Sequence, residues 1–270
     1  MGGTFGEVLP PVNIDENIYT FAQQFFENIN LESETIYVFQ KSLNLSEKQK
    51  CIAQFYEGSV INPPMTWLFY LVFVCRNMKT PAPLNEIINS FFLLTLNLFV
   101  TAIVVWKIKY GIGEARPIQL VRMIKDIDIN YYYGNSSSSI WKPYLNTPPF
   151  PDIISGHSTF SSSSCFVFDY FLGSNLGNNL IIDKKNAILI SPLLEKSDLE
   201  FINFNNIVIP SGTVLKDNTV LSSDIILDCT TWNEVAFNCS LSRFYGGIHF
   251  YSSNQLGLII GKLIYDMLID

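Results

Sequence analysis

The spacing of apolar residues along the chain predicts a mainly helical protein. Apolar residues recur at helical intervals from Glu16 to about Gly58, which indicates an N-terminal helical extension over about residues 1–60. Pro63 and Pro64 then suit the first turn of a helix that ends near Arg76.

The segment from Ile87 to Trp106 is strongly apolar and lies within a helix predicted over about residues 84–110. Apolar residues occupy nearly every face of this helix, which is typical of a helix buried on all sides or of a membrane span. Polar residues interrupt the segment at Asn89, Thr95, Asn97 and Thr101. We therefore expect a buried central helix, with a membrane span as the alternative.

Capping residues mark the starts of two further helices. Ser155 can cap the N-terminus of a helix that follows it directly. Thr231 and Glu234 have the spacing of a capping box and predict a second helix start. In the last helix, Gly257 and Gly261 would allow close packing against a neighbour.

Two stretches do not follow a helical pattern. Residues 130–151 predict a loop, because Ser, Tyr and Pro dominate there. Residues 180–227 are rich in Ile, Val, Phe and Asn and predict a small irregular or β-rich insertion. Because the sequence has no internal repeat or evident linker, we expect one domain over residues 1–270, with the motif-bearing part at about 84–268.

Composition narrows the classes of function. The net charge is −7 and charged residues make up 15% of the chain, so neither nucleic acid nor an anionic membrane is expected to bind through bulk charge. The five cysteines include no CxxC pair, which argues against a zinc site or a disulfide framework. The N-terminus has no secretory signal pattern, which leaves the cytoplasm as the default location.

The chain contains only two histidines, and both lie next to glycines at predicted helix junctions. His157 follows Ser155 and Gly156, where free backbone amides at a helix start can bind an anion. His249 follows a pair of glycines in the segment Ser242-Arg-Phe-Tyr-Gly-Gly-Ile-His. Imidazole titrates near neutral pH, so either residue could transfer a proton or attack a central atom.

Three cations accompany the histidines in the sequence. Lys109 and Arg116 lie seven residues apart around two glycines, and Arg243 follows Ser242 directly. Together with helix-start amides they would form a receptor for a tetrahedral oxyanion, in which each charge-assisted hydrogen bond contributes about 1.5–3 kcal/mol.

The order of these segments resembles a known superfamily. Lys109-x6-Arg-Pro, Ser155-Gly-His and Ser242-Arg-x5-His249 are similar to the signature of the type 2 phosphatidic acid phosphatases and vanadium-dependent haloperoxidases. The surrounding sequence, with TPPFP before Ser-Gly-His and GGIHF around the second histidine, resembles the haloperoxidase-like branch. The resemblance covers about residues 45–268, is poor over 175–225, and implies a helical bundle of the acid phosphatase/vanadium haloperoxidase type.

The resemblance also implies a role for each matched residue. His249 would be the axial vanadium ligand of bound vanadate in a haloperoxidase, or the nucleophile in a phosphatase, and His157 would be the general acid–base. The residues that would hold the oxyanion are Lys109, Arg116, Ser155, Gly156 and Arg243. Trp106 and Phe150 match positions near the halide site, although ordinary core packing explains two aromatic residues equally well.

Two positions depart from the family pattern. Ile154 stands where the family usually has Pro before Ser-Gly-His, which would alter a turn. Ser253 stands four residues after His249, where haloperoxidase-like members tend to carry Asp. If that Asp orients the histidine, its loss would reduce ligand affinity or activity by about 10–100-fold.

Three functions follow from the resemblance. The first is a vanadate-dependent haloperoxidase-like enzyme that oxidises halide with hydrogen peroxide. The second is a phosphomonoesterase that needs no cofactor, which a membrane-spanning 87–106 segment would favour. The third is an inactive homologue. The chain is short for the haloperoxidase branch, so a second bundle would be reduced or supplied by the partner in a homodimer.

Overall fold

The computed structural model describes residues 14–57, 63–77, 82–123, 141–176 and 181–270, and it is mainly helical. The α-helices are α1 (Ile14–Glu27), α2 (Leu31–Leu43), α3 (Glu47–Phe55), α4 (Pro63–Asn77), α5 (Leu84–Ile112), α6 (Pro117–Met123), α7 (Gly156–Leu172), α8 (Lys184–Ile190), α9 (Trp232–Tyr245) and α10 (Tyr251–Ile269). A short 3₁₀ helix, Pro192–Leu194, follows α8. The predicted helical class is confirmed.

Helix α7 is the centre of the bundle, where it packs against α10, α9, α5 and α4. Small residues allow this close approach, because α7 buries the run of serines from Ser161 to Ser164. A Cβ atom on Gly257 would lie 2.8 Å from the carbonyl oxygen of Ser155, and one on Gly261 would lie 2.6 Å from that of Thr159. The prediction that these two glycines permit tight helix packing is therefore confirmed.

Helix α5 is buried along one face only, which corrects the expectation of a helix buried on all sides. The buried face carries polar side chains together with aliphatic ones, and these polar residues are Ser90, Asn97, Thr101 and Lys109. The opposite face exposes large apolar side chains, namely Leu84, Ile88, Phe92, Phe99, Ile103, Trp106 and Tyr110. Within the described residues, the stretch Leu84–Met123 has the length and apolar composition that could cross a membrane, which alone is weak evidence for a span.

The insertion after α7 contains two small antiparallel sheets. Strand β1 (Ile181–Asp183) pairs with β2 (Phe201–Asn203), and β3 (Asn206–Ile209) pairs with β4 (Ile225–Asp228). The predicted small irregular or β-rich insertion also contains a short helix that was not expected, α8 (Lys184–Ile190). The Asp183 side chain caps this helix by accepting a hydrogen bond from the Asn186 amide.

Both predicted helix caps are confirmed. The Ser155 side chain accepts from the backbone amide of Ser158 at the start of α7. Thr231 and Glu234 form a capping box at the start of α9. Of the predicted loop, residues 130–140 lie outside the described residues, and residues 141–151 contain no regular helix or strand.

Candidate active site

The residues predicted to bind an oxyanion come from five places in the chain that meet at one end of the bundle. Lys109 lies in the last turn of α5, and Arg116 lies in the loop between α5 and α6. His157 is in the first turn of α7, and Arg243 is in the last turn of α9. His249 lies in the connection between α9 and α10.

All of these residues except Arg116 line a cavity of about 450 Å³ whose lining is partly polar and mostly apolar. The polar lining consists of Lys109, Gly156, His157, Arg243 and His249. The rest of the lining is apolar and consists of Pro63, Pro64, Ala102, Val105, Trp106, Pro148, Phe150, Phe160 and Ile248. Arg116 and Ser155 lie behind this lining and contact its members.

Lys109 is buried and binds the chain segment just before α7. Its Nζ donates to the carbonyl oxygens of Pro151, at 2.9 Å, and Asp152, at 2.8 Å. An ammonium group has three N–H donors, so one remains for a ligand in the cavity. Burial and then the neighbouring Arg116 lower the pKa of Lys109 to about 7, while Asp152 and Glu114 oppose the shift.

Arg116 is held in place by backbone oxygens and contacts the second histidine. Its Nε donates to the carbonyl of Phe150 at 2.8 Å, and its Nη1 donates to that of Ile248 at 2.7 Å. The same Nη1 lies 3.0 Å from Nε2 of His249. Its Nη2 is buried and has no hydrogen-bond partner among the described residues, which leaves a charged donor for an anion.

Arg243 makes the corresponding contact with the first histidine. Its Nη1 lies 3.3 Å from Nε2 of His157, while Nη2 donates to the carbonyl of Ala53 at 3.2 Å. Its Nε donates to the hydroxyl of Ser242 at 3.1 Å. Burial lowers the pKa of Arg243 to about 10, so the guanidinium stays charged at neutral pH.

Both histidines are neutral at pH 7 in this environment. Burial lowers the pKa of His249 well below its usual value of 6.5, and Arg116 is the next largest cause. Burial also lowers the pKa of His157 well below 6.5, and here Arg243 is the next largest cause. A bound anion would offset these positive charges and raise both pKa values.

The start of α7 adds backbone donors to the site. Ser155 is fully buried, and its Oγ accepts a hydrogen bond from the Oγ of Ser158 at 3.0 Å. The Ser158 hydroxyl also contacts Ser240 and Asn254, so α7 is tied to α9 and α10 at this end. Gly156 and His157 follow the cap, and their amides lie at the positive end of the helix dipole.

Trp106 and Phe150 are in contact with each other at the wall of the cavity. Their ring centroids lie 5.0 Å apart in an edge-on arrangement. The Phe150 ring also lies 5.2 Å from Nζ of Lys109 and 4.9 Å from the guanidinium carbon of Arg116. Trp106 is at the rim and is 41% exposed, so its role differs from that of the cation-facing Phe150.

Asp152 is a site residue that was not predicted from the sequence. Its carboxylate is fully buried, and Oδ1 lies 2.9 Å from Nδ1 of His249. Burial raises the pKa of Asp152 to about 6, against the opposing effect of Arg116 and Lys109. The available sequence signal is that Asp152 is the only acidic or basic residue, histidine aside, between Lys142 and Asp169.

The two departures from the family pattern have different structural outcomes. Ile154 is fully buried in an apolar cluster with Val104, Val105 and Ile108. Ser253 is buried as well, and its Oγ lies 3.4 Å from Nδ1 of His249, a longer distance than that of Asp152.

A carboxyl group that sequence analysis also did not single out lies behind the cations. Glu114 is buried, and burial raises its pKa to about 9, with Asp152 as the next largest cause. Its Oε1 has no hydrogen-bond partner among the described residues. Protonated Glu114 carries no charge at neutral pH, so it leaves the positive field of the site intact.

The match to a family model agrees with this geometry. Residues 89–270 match the model described as the VCPO second helical-bundle domain. This match covers more than half of the chain, which therefore belongs to the vanadium haloperoxidase superfamily. No curated protein has a significantly similar sequence.

Solved structures of bacterial enzymes share the fold. A bacterial vanadium-dependent iodoperoxidase superposes with a TM-score of 0.62 at 20% identity, over 90% of this chain and 50% of that one. A holo-type bacterial vanadium-dependent chloroperoxidase superposes with a TM-score of 0.60 at 17% identity, over 88% of this chain and 47% of that one. The apo-type chloroperoxidase superposes with a TM-score of 0.62 at 16% identity, over 88% of this chain and 48% of that one. This chain therefore spans about half the length of these structures.

The donor set fits a tetrahedral oxyanion such as vanadate or phosphate. Lys109, Arg243 and the first turn of α7 line one cavity, and the buried Nη2 of Arg116, behind this lining, has no hydrogen-bond partner within the described residues. Such a buried charged donor is costly to leave unpaired, and an anion would satisfy it.

Proposed function

We propose that this protein is a vanadate-dependent haloperoxidase-like enzyme that oxidises halide with hydrogen peroxide. The observation that carries the proposal is that Lys109, Arg243 and both histidines line one cavity, while Arg116 contacts His249 from behind the lining. Membership of the vanadium haloperoxidase superfamily supports the choice of cofactor.

Each residue has a defined task in this proposal. Lys109, Arg116 and Arg243 bind the oxyanion oxygens together with Ser155 and the Gly156 amide. His249 would hold bound vanadate through Nε2, in place of the contact of that nitrogen with Arg116. Bound vanadate would supply Lewis acidity that polarises the peroxide for attack by halide.

His157 moves the proton in this scheme. It is neutral at pH 7 and lines the cavity, so it can take a proton from incoming peroxide. Arg243, at 3.3 Å from Nε2, disfavours a lasting positive charge on the ring and so favours return of the proton. Trp106 and Phe150 would form the halide side of the cavity.

The test is bromination of a dimedone-type acceptor by the purified protein with peroxide and bromide, with and without orthovanadate. We expect vanadate-dependent turnover that excess phosphate suppresses, because both anions would occupy the same residues. Turnover that is independent of vanadate would contradict the proposal.

Two lysines on the same helix provide a matched control. Lys109→Ala removes the buried cation and is expected to abolish the vanadate-dependent turnover. Lys107→Ala changes an exposed lysine whose Nζ lies 5.9 Å from the centre of the Tyr19 ring, and turnover should be unchanged. Equal losses in the two variants would argue against a specific site.

A phosphatase is the second candidate, and the apolar walls of the cavity favour it specifically. Trp106 connects the cavity wall to the exposed apolar face of α5, so an apolar phosphate ester could reach the cations along this face. His249 would then be the nucleophile and His157 the general acid. Hydrolysis of an apolar phosphate monoester that vanadate inhibits, without bromination, would establish this function instead.

A further inference from the structure

Asp152 is held rigidly by groups on both sides of its peptide. Its amide donates to the carbonyl oxygen of Glu114 at 3.0 Å. Its carbonyl accepts from Nζ of Lys109 at 2.8 Å and from Oγ of Ser253 at 3.4 Å. The backbone is therefore fixed by α5, by the loop after α5 and by α10, and the carboxylate is fully buried.

The contact with Arg116 determines which nitrogen of His249 carries the proton. Nη1 of Arg116 is 3.0 Å from Nε2, and a guanidinium can only donate. Nε2 must therefore accept, and the proton of the neutral ring lies on Nδ1. Oδ1 of Asp152 faces that Nδ1 at 2.9 Å.

The charge of Asp152 has few other partners. Hydrogen bonding from the Ser253 side chain and the Phe250 backbone lowers the pKa of the carboxyl group, and Nη1 of Arg116 lies 3.7 Å from Oδ1. The nearest donor is thus the His249 ring. A buried carboxylate is costly unless it is paired, and the contact of Oδ1 with the His249 ring, at 2.9 Å, is its shortest one.

We propose that Asp152 is the positioning residue of His249, and that it replaces the carboxylate that haloperoxidase-like sequences tend to carry at the position of Ser253. It holds the ring with the Nε2 lone pair directed towards Arg116 and the oxyanion site. The carboxylate has moved from the first turn of α10 to the loop before α7. This inference rests on the proposed role of His249 as the ligand.

Two anions separate this role from general structural damage. Sulfate would use only the cations and amides, whereas orthovanadate would also bond to Nε2 of His249. Asp152→Ala should weaken orthovanadate binding by about 10–100-fold. Sulfate affinity should be unchanged or higher, because a negative charge is removed beside Arg116 and Lys109. An equal loss of affinity for orthovanadate and for sulfate would overturn the proposal.

Three further variants keep the test decisive. Asp152→Asn keeps the shape without the charge and should give an intermediate loss, which guards against misfolding of the alanine variant. Ser253→Ala should weaken orthovanadate binding less than Asp152→Ala does, since its hydroxyl is the more distant partner of Nδ1. The double variant Asp152→Ala/Ser253→Asp returns the carboxylate to α10 and should restore most of the affinity. If the double variant folds but its orthovanadate affinity is not restored, Asp152 does not replace a carboxylate at position 253.

A readout without any ligand separates this inference from the proposed function. The chain has two histidines, so imidazole NMR signals can be assigned with a His157→Gln variant. We expect a downfield proton on Nδ1 of His249 that moves upfield in Asp152→Ala and returns in the double variant. An unchanged signal in Asp152→Ala would overturn the inference. Absence of bromination with this shift present would contradict only the haloperoxidase function.

Discussion

The two histidines share one cavity but have different surroundings. Each has Nε2 close to an arginine, at 3.0 Å for His249 and at 3.3 Å for His157. His249 also has the Asp152 carboxylate at 2.9 Å from Nδ1. Among the described residues no carboxylate contacts His157, which lies in the first turn of α7 and keeps partial exposure.

This difference separates a held ring from one that exchanges protons. A carboxylate behind an imidazole fixes its tautomer and raises its strength as a ligand. An imidazole beside an arginine and without a carboxylate releases its proton readily. The geometry thus suits His249 for bonding to a central atom and His157 for proton transfer.

Replacing each histidine should produce the largest effects and separate the two roles. His249→Ala is expected to lower turnover at least about 1,000-fold and to weaken orthovanadate binding as well. His157→Ala should lower turnover by about 10²–10⁴-fold while orthovanadate binding is largely retained. Steady-state kinetics and equilibrium dialysis measure both quantities. Equal loss of binding in the two variants would remove the distinction.

The packing that supports both histidines can be tested at Gly257. An added Cβ would lie 2.8 Å from the Ser155 carbonyl and 2.8 Å from Cβ of Ser158, so Gly257→Ala should destabilise the fold by about 1–3 kcal/mol. Gly156→Ala is the control, because its Cβ would have its nearest neighbour at 3.8 Å. Thermal unfolding should show a lower Tm for Gly257→Ala alone. Equal Tm values would contradict the close approach of α10 to α7.

The pH dependence of sulfate binding should follow Lys109, on the His249 side of the cavity. Its pKa is lowered to about 7, so the ammonium is charged below that pH and loses its proton above it. Sulfate affinity should therefore fall above about pH 7, by at most about 10-fold per pH unit. Sulfate keeps its charge over this range, unlike phosphate.

The control for this pH profile is Lys109→Arg, since a guanidinium stays charged. Its affinity for sulfate should vary little between about pH 7 and about pH 8, the range between the pKa values of Asp152 and Glu114. A wild-type profile as flat as that of this variant would contradict a lowered pKa at Lys109.

Replacing Phe150 or Trp106 should have smaller effects on sulfate binding, and these effects should differ between the two residues. Phe150→Leu removes the ring that faces Lys109 and Arg116 and should weaken sulfate binding by about 2- to 10-fold. Trp106→Leu changes a residue at the rim and should leave sulfate binding nearly unchanged. Isothermal calorimetry can compare them, and a larger loss for Trp106→Leu would reverse the assignment.

Local signals made much of the helical framework predictable. Caps at Ser155 and Thr231 are formed by residues within one turn of each other, so the sequence alone contains their pattern. Lys184–Ile190 was not predicted as a helix, because a short apolar run fits a strand equally well. The single buried face of α5 was also missed, since apolar residues on nearly every face hide which one is covered.

The candidate site was predictable as far as its motifs reach. The segments around Lys109, His157 and His249 were each recognisable, but the partner of His249 was not. Asp152 lies 97 positions before that histidine, and their contact depends on how the loop before α7 meets α10. Such a contact through space has no counterpart in residue spacing.

The most direct test of the account is equilibrium dialysis of orthovanadate against the wild-type protein and Arg116→Ala. The account predicts a single saturable site per chain that phosphate competes for and that is lost in the variant. This result would follow because Arg116 contacts His249 and its Nη2 has no hydrogen-bond partner in the part of the chain that the structure describes. No saturable binding, or equal binding by the variant, would contradict an oxyanion site at these residues.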